Sequence, residues 1–410
     1  MFKTVSVIGL GYIGLPTAAM LASRKLRVIG IDVNQHAVDT INQGKIHIVE
    51  PELDMLVHAA VTGGYLSAQT KPVAADAFMI AVPTPFFDDL SPDLTYVEAA
   101  VKSIAPVLAK GNLVVLESTS PVGTTEKICQ WISEARPDLT VPTDSSQPDI
   151  HVAYCPERVL PGRVVYELIA NDRIVGGLTP ACSEKAKALY QTFVTGECLI
   201  SDARTAEMSK LTENAFRDVN IAFANELSLI CDELNIDVWE LIKMANRHPR
   251  VNILTPGAGV GGHCIAVDPW FIVHSAPEQA KLIRTAREVN DFKPQWVLQK
   301  ILSTVANHAL HKPSIACFGL AFKPDIDDLR ESPALHIVND LAQAYQGKIY
   351  AVEPNVEKTN KLASNVELVS VEQGLKADII VILVNHKGFG DLDFSKNSLI
   401  NVVGPLRSAH

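Results

Sequence analysis

No apolar run in the 410-residue chain approaches the roughly 18 to 20 residues that cross a bilayer. The longest candidates are strand-sized pieces such as 379–384, so no membrane span is expected. Glycine and proline are scarce, at 23 and 24 residues, which excludes collagenous and low-complexity classes. No CxxC pair occurs. The seven cysteines, at 129, 155, 182, 198, 231, 264 and 317, are odd in number and scattered. That pattern fits reduced thiols rather than disulfides or structural zinc, and no metal site is expected. Neither a basic leader nor a small-residue cleavage site precedes the first apolar stretch, so a cytoplasmic chain is expected. Cations are in deficit as well: 36 Lys and Arg face 46 Asp and Glu, for a net charge of -10. Nucleic acid and anionic membrane are therefore poor partners, while a local basic pocket for a phosphorylated small molecule stays open.

With 47% hydrophobic and 20% charged residues the composition is globular. At about 150 residues per domain the length predicts two to three domains. Val5-Ser6-Val7-Ile8 reads as a buried parallel strand feeding Gly9-Leu10-Gly11-Tyr12-Ile13-Gly14 and then a helix over 16–23. A second strand over 28–31 ends in Asp32, eighteen residues after Gly14. Strand candidates at 77–82, 113–116 and 151–154 alternate with helical segments, as in a doubly wound sheet. From 204 to 235, Met208, Leu211, Ala215, Val219, Ala222 and Leu229 follow a helical spacing, and a second helical stretch covers 280–305. Ser314-Ile315-Ala316-Cys317-Phe318-Gly319 then repeats the opening theme, with further strands at 348–352 and 379–384. The expected fold is α/β, with two Rossmann-like parallel-sheet domains at 1–200 and 307–410 joined by a central helical domain at 201–306. In the second sheet domain Gly319-Leu320-Ala321-Phe322-Lys323 lacks the glycine that lets a pyrophosphate approach, so it is expected to bind something else.

Gly9, Gly11 and Gly14 allow a tight turn, close phosphate approach and helix packing, and the helix N-terminus offers free N–H groups. The bland alternative is a merely tight strand-to-helix turn. Asp32 would bond a ribose diol and repel a 2′-phosphate, and Val33 and Asn34 bring no compensating cation, so NAD is favoured over NADP. Val82-Pro83-Thr84-Pro85 and the 117–125 segment, with Thr119 and Thr125, follow strands; their hydroxyls either hold ligand or shape turns and caps. In Pro256-Gly257-Ala258-Gly259-Val260-Gly261-Gly262-His263-Cys264, four glycines strip side chains from the approach to one sulfur. Asp268-Pro269 fits an N-cap followed by a first-turn proline, setting Cys264 just ahead of a helix, where a thiolate is favoured. A small buried cysteine is the competing reading. Lys210, Asn214 and Arg217 share one helix face, either a solvated stripe or, with the cysteine loop near, an oxyanion site. Glu157 and Arg158 should sit at the mouth of the sheet, and His248, Arg250, Lys323 and Arg330 add cations suited to a diphosphate.

At these residues the chain resembles, over nearly its full length, the nucleotide-sugar 6-dehydrogenases, the family of UDP-glucose and GDP-mannose dehydrogenases. Cys155-Pro156-Glu157-Arg158-Val159-Leu160-Pro161-Gly162 and Gly261-Gly262-His263-Cys264-Ile265-Ala266-Val267-Asp268-Pro269-Trp270 are similar to its N-acetylhexosamine branch. The resemblance implies an NAD-dependent, four-electron oxidation of the C6 alcohol of UDP-N-acetyl-D-mannosamine, with UDP-glucose or UDP-N-acetylglucosamine as alternative substrates. An aldehyde forms, Cys264 adds to it, the thiohemiacetal is oxidised to a thioester, and water releases the acid. A two-electron alcohol dehydrogenase, or an NAD-binding protein without catalysis, would need no such cysteine.

Carried over residue by residue, the resemblance implies Lys210 as general acid/base or oxyanion cation, and Asn214 as donor to the same charge. It sets Asp268 near Cys264, and Glu157 and Thr119 around the hydrolytic water. It implies cofactor contacts at Gly9, Gly11, Tyr12, Ile13, Gly14, Asp32, Thr84, Thr125 and Arg330. Substrate contacts would be Arg158, Val159, Lys210, Asn214, Arg217, His248, Arg250 and Gly261, with Phe322 and Lys323 meeting the uridine nucleotide in the third domain. A homodimer through the helical domain, with Arg250 reaching the neighbouring subunit's site, and a supply of uronate for cell-surface polysaccharide complete what it implies. Asn401-Val402-Val403-Gly404 departs from the family by lacking an acid and a base in its turn.

Overall fold

Along the first strand Val5 and Val7 join one apolar cluster and Ile8 another, so the sheet it begins is covered on both faces. The computed structural model describes residues 2–48, 50–159, 162–262 and 264–409. Leu160, Pro161 and His263, which belong to the two motifs carrying the resemblance, lie outside the described residues. The chain divides into two compact units, Met1–Glu213 with Trp270–Ser275, and Asn214–Pro269 with Ala276–His410.

The first unit carries strands β1 (Thr4–Ile8), β2 (Arg27–Ile31), β3 (Leu66–Gln69), β4 (Ala77–Ile80), β5 (Leu113–Leu116), β6 (His151–Tyr154), β7 (Arg173–Gly177) and β8 (Cys198–Asp202). Their order is β3-β2-β1-β4-β5-β6-β7-β8. Val5 stands opposite Val28 on one side and Ala77 on the other, so the order reverses between β1 and β4. Ligands of such sheets gather at that reversal, beyond the strands' C-terminal ends. Within β4 and β5, Phe78, Ile80, Val114 and Leu116 fill one cluster while Ala77, Met79, Leu113 and Val115 fill the other. Each fully buried aliphatic side chain contributes roughly 1.5 to 3 kcal/mol, which is why these four-residue runs hold. The parallel pairing has one exception: β6 and β7 run antiparallel, Tyr154 facing Gly176. The strands β3, β7 and β8 have no apolar run to announce them; β8 leaves Leu199 and Ile200 nearly half exposed.

The second unit carries β9 (Ile315–Phe318), β10 (Ile349–Val352), β11 (Val366–Leu368), β12 (Ile379–Ile382) and β13 (Ser398–Asn401), all parallel, in the order β11-β10-β9-β12-β13. That is the arrangement of the first five strands of the other unit. Its helical part is joined by polar contacts. Arg287 Nη1 donates to Asp218 Oδ1 at 2.7 Å with both groups buried, and Asn225 donates to Asn290 at 2.9 Å. These link the Ala203–Glu233 helix, which begins in the first unit, to the Lys281–Ala306 helix. On the long helix Leu211, Ala215 and Ala222 are buried as the spacing predicts, whereas Met208 is 38% exposed. Among the described residues no helix is long and apolar enough to cross a membrane.

Candidate active site

In the first unit the glycine turn follows β1 directly. A Cβ on Gly14 would stand 1.8 Å from the Gly9 carbonyl oxygen, and one on Gly9 2.5 Å from that of Ala81, so helix, turn and β4 are packed too tightly for side chains. Gly11 is the opposite case: a Cβ there meets nothing within 4 Å. The backbone at Gly11 therefore faces open space beside the first turn of the Gly14–Ser23 helix, whose N–H groups have no intrahelical partners. Tyr12 is exposed and Ile13 half-buried at this mouth. Asp32 follows β2; its Oδ2 accepts from Leu10 N at 2.9 Å and its Oδ1 from Asn34 N at 2.8 Å. The carboxylate is thus aimed from the end of β2 across the turn, and Val33 beside it is 96% exposed. Turn, open face and carboxylate fit a dinucleotide with a free ribose diol, which is what NAD offers.

Thr84 Oγ1 donates to the Thr119 carbonyl at 2.5 Å, joining the loops after β4 and β5. Thr125 is buried and committed: its Oγ1 donates to Glu207 at 2.6 Å, its N–H to the same carboxylate at 2.8 Å, and Gly123 N adds a third bond at 2.7 Å. Glu207, on the long helix, therefore caps the Thr124–Ala135 helix. Burial pushes its carboxyl up, against the pull of those bonds. Nothing in the sequence singles it out.

Glu157, just past β6, is 7% exposed. Its Oε1 accepts from Arg158 N at 2.6 Å and its Oε2 from Arg173 Nη1 at 2.7 Å. Arg173 is buried and lies 5.6 Å from the centre of the Tyr190 ring, and Tyr190 OH donates to Glu117 Oε1 at 2.7 Å. Burial first, then the Glu157 charge, push the Glu117 carboxyl up to about 7. Arg173 and Tyr190 carry no signal in the sequence, since a cation opening a short strand reads as surface. Arg158 pairs with Glu213 at 2.7 Å, and Val159 is half-buried. Lys210 is half-buried on the same helix as Glu213.

In the second unit the glycine-rich loop lies against the first loop of the second sheet. A Cβ on Gly261 would stand 2.4 Å from the Glu331 carbonyl oxygen and 3.1 Å from Phe322 Cβ, while Gly262, at φ +82°, lies under the Phe322 ring. Gly261, Phe322 and Lys323 are thereby brought together. Cys264 is exposed; the other six cysteines are buried. Burial, and after it Arg217, push the Lys323 amine down, while Cys264 pulls it up, so both side chains act on it electrostatically. The Cys264 carbonyl accepts from Val267 N at 3.1 Å and Asp268 N at 2.9 Å, a turn that runs straight into the Asp268–Ser275 helix. Asp268 is thus the first helical residue rather than a residue ahead of it, because this turn already supplies the entry. Its Oδ2 accepts from Asn214 Nδ2 at 2.5 Å, with both side chains buried. The 210/214/217 face is therefore not a uniformly solvated stripe: Asn214 is buried and Arg217 exposed.

Other expected residues lie apart from this constellation in what they bind. His248 and Arg250 are exposed after the Val238–Ala245 helix, Arg250 N donating to His248 Nδ1 at 3.3 Å. Arg330 grips Asp328 through Nε and Nη2 at 2.6 to 3.0 Å. In the 401–404 turn, Asn401 Oδ1 accepts from Val403 N and Gly404 N, so a side-chain amide closes it without charge. The lost phosphate site of the second sheet also has a cause. Glu353 follows β10 as Asp32 follows β2, and its Oε2 takes Leu320 N at 2.7 Å, Ala321 N at 3.0 Å and His386 Nε2 at 3.0 Å. A buried carboxylate thus holds the N–H groups a diphosphate would need. The repeated strand-then-acid pattern was the signal that could have found it.

The chain matches three consecutive domains described for the UDP-glucose/GDP-mannose dehydrogenase family: the NAD binding domain over 3–194, the central domain over 204–292 and the UDP binding domain over 316–402. It is 64% identical over 394 residues to an NDP-N-acetyl-D-galactosaminuronic acid dehydrogenase of Ralstonia nicotianae, covering 96% of this chain and 93% of the relative. It is 63% identical over 397 residues to a UDP-N-acetyl-D-mannosamine dehydrogenase of Yersinia pestis, covering 95% and 94%. The solved UDP-N-acetyl-mannosamine dehydrogenase of Staphylococcus aureus is similar with a TM-score of 0.87 at 43% identity, covering 98% of this chain and 95% of that one. The chain belongs to the UDP-glucose/GDP-mannose dehydrogenase family and is an NAD-dependent UDP-sugar dehydrogenase.

Proposed function

We propose that the protein oxidises the C6 alcohol of UDP-N-acetyl-D-mannosamine to the carboxylate through a thioester on Cys264. The observation that carries this is the exposure of that one thiol, in a glycine-stripped loop within the electrostatic reach of Lys323, which also feels Arg217. NAD, when bound, accepts the hydride at each of the two oxidations. The Cys264 sulfur adds to the aldehyde carbon; the adduct again carries a C–H bond beside an alkoxide, so one geometry serves both oxidations. Lys210 exchanges the alcohol proton and Asn214, oriented by Asp268, donates to the oxygen as charge develops. In the last step Glu157 takes a proton from water, with Thr119 beside it. Lys323, Arg217 and Phe322, together with Gly261, Arg158, Val159, His248 and Arg250, are assigned to the nucleotide sugar. Gly9, Gly11, Tyr12, Ile13, Gly14, Asp32, Thr84, Thr125 and Arg330 are assigned to NAD, although Thr125 and Arg330 already spend their side chains on Glu207 and Asp328.

The three matched domains support a division at 1–200, 201–306 and 307–410. A homodimer is supported by the long helix, where Phe216, Phe223 and Ile230 stand seven residues apart and 69%, 52% and 47% exposed. A cytoplasmic setting is supported by reduced, buried thiols. The 64% relative favours a second substrate reading, an N-acetyl-D-galactosamine nucleotide. Incubation with NAD and a panel of UDP-sugars tests the substrate and the route: two NADH and one uronate per sugar are expected, fastest with UDP-N-acetyl-D-mannosamine. One NADH per sugar, with aldehyde accumulating, would refute the thioester route.

A further inference from the structure

The second unit holds a cavity lined by none of the residues assigned to NAD, to the nucleotide sugar or to the chemistry. It measures about 270 Å³ and lies among the C-terminal end of the Ala203–Glu233 helix, the start of the Val238–Ala245 helix, the Lys281–Ala306 helix and the end of β13. Its polar centre is Lys293, a lysine only 1% exposed. Lys293 Nζ donates to Ser228 Oγ at 2.5 Å and stands 4.1 Å from the centre of the Trp296 ring. Among the described residues no carboxylate is bonded to it. The two acids of the lining are committed elsewhere: Asp232 pairs with Lys300, and Asp237 Oδ1 accepts from Trp239 N at 2.8 Å and Glu240 N at 3.2 Å as the cap of its helix. The wall from β13 is uncharged. It consists of Asn401 and Val402, where the turn that departs from the family begins, and the Asn401 amide is spent on Val403 and Gly404. Trp239 and Trp296 supply much of the apolar lining.

We propose that this cavity binds a small organic monocarboxylate, with the head group on Lys293 and the apolar body against Trp239 and Trp296. A buried ammonium is costly without an anion, and Lys293 spends only one of its N–H donors, on Ser228. A carboxylate has two oxygens to offer the others. One cation without an acid calls for one negative charge, whereas a phosphate dianion would bring a second into a space that also holds Asp232 and Asp237. The volume lies just below the range of drug-sized sites, which suits a single ring carrying one head group. Ser228 and Asp232 fall on the other side of their helix from Phe216, Phe223 and Ile230, so cavity and apolar stripe use different faces. The titratable groups that share the cavity with Lys293 are Lys300 on its own helix, Cys231 and Asp232 on the long helix, and Asp237 at the cap. Burial first, then Lys300, push the Lys293 amine down to about 7, while Asp232 pulls it up. A bound carboxylate favours the charged amine, so binding is tightest below pH 7 and takes up a proton above it.

The test is titration calorimetry of the whole chain with benzoate as the probe, beside benzamide as its uncharged isostere and inorganic phosphate. Benzoate is expected to bind once per chain, on the order of tenfold tighter than either, and roughly tenfold weaker at pH 8 than at pH 6. At pH 8 the heats in Tris and in HEPES should differ by the uptake of most of one proton per benzoate. A surface lysine, charged up to about pH 10, would take up none. Lys293→Met keeps the length and apolar bulk of the side chain; it is expected to lose benzoate affinity by roughly tenfold or more and to abolish the proton uptake. The wild-type proton uptake is a readout that stands even if Lys293→Met folds poorly. Benzoate binding without proton uptake at pH 8, or with wild-type affinity in Lys293→Met, overturns the role of Lys293. Benzamide or phosphate binding as tightly as benzoate, or no benzoate heat at about 10 mM, overturns the monocarboxylate site.

Discussion

At the scale of single residues, seven thiols differ in what surrounds them. Burial pushes Cys129 and Cys317 up to about 12, and Cys155, Cys198 and Cys231 also upward, which leaves them protonated and inert. Cys264 alone is exposed. Cys264→Ala is expected to cut uronate formation by roughly 10³-fold or more while the protein stays folded, measured by product quantification and circular dichroism. Glu117 gives a pH signature in stability. Its proton is held more tightly in the folded state, from an ordinary 4.5 up to about 7, by burial and the Glu157 charge. Its contribution is therefore whole below pH 4.5 and is lost as pH rises to about 7, on the order of 3 kcal/mol. Glu117→Gln removes that loss, so its Tm should match the wild type near pH 4.5 and exceed it near pH 8; a deficit at pH 8 would count against a raised carboxyl.

At the scale of elements, two strand-turn-helix units of one design differ in the acid after the second strand and in the turn residue that is Gly11 in one and Ala321 in the other. Asp32 leaves the first turn open at Gly11, while the longer Glu353 fills the second turn and is held there by His386. Burial pushes the Glu353 carboxyl up, yet the His386 bond and charge bring it below the usual range. Elements are also held by groups that look superficial in the sequence. Glu207→Ala would leave Gly123 N–H, Thr125 N–H and the Thr125 hydroxyl without their acceptor in a buried place, and is expected to cost about 3 kcal/mol. Thermal unfolding should show a midpoint several degrees below that of the wild type.

At the scale of the whole molecule, a net charge of -10 coexists with a cationic group at Lys323 and Arg217. The general surface repels polyanions, and the proposed binding of a small anionic nucleotide relies on local cations instead. The seven-residue spacing of Phe216, Phe223 and Ile230 sets three exposed apolar side chains along one helix, the feature on which the proposed homodimer rests. Phe223→Glu is expected to shift the protein to monomer in sedimentation velocity while Tm falls by only a few degrees. A wild-type protein that is monomeric at micromolar concentration would remove the homodimer reading.

Strands β1, β2, β5, β6, β9 and β12 were legible because a buried strand in a doubly covered sheet must be almost wholly apolar, and the glycine spacing was legible because close backbone packing admits no other residue. The order of the sheets' ends was not: β7 is short, opening on an arginine and ending in two glycines, β8 is largely exposed, and β7 is antiparallel to β6, which local periodicity does not encode. By itself the sequence determined the two sheets, the glycine turn with its acid, and the cysteine loop. Only tertiary structure decided that Cys264 is exposed while Cys155 is not, that Thr125 is spent on Glu207, and that Glu157 is bonded to a buried arginine while Glu117 is bonded to Tyr190. The physical reason is that burial and charge pairing arise between segments far apart in the chain, and a side chain's chemistry depends on both.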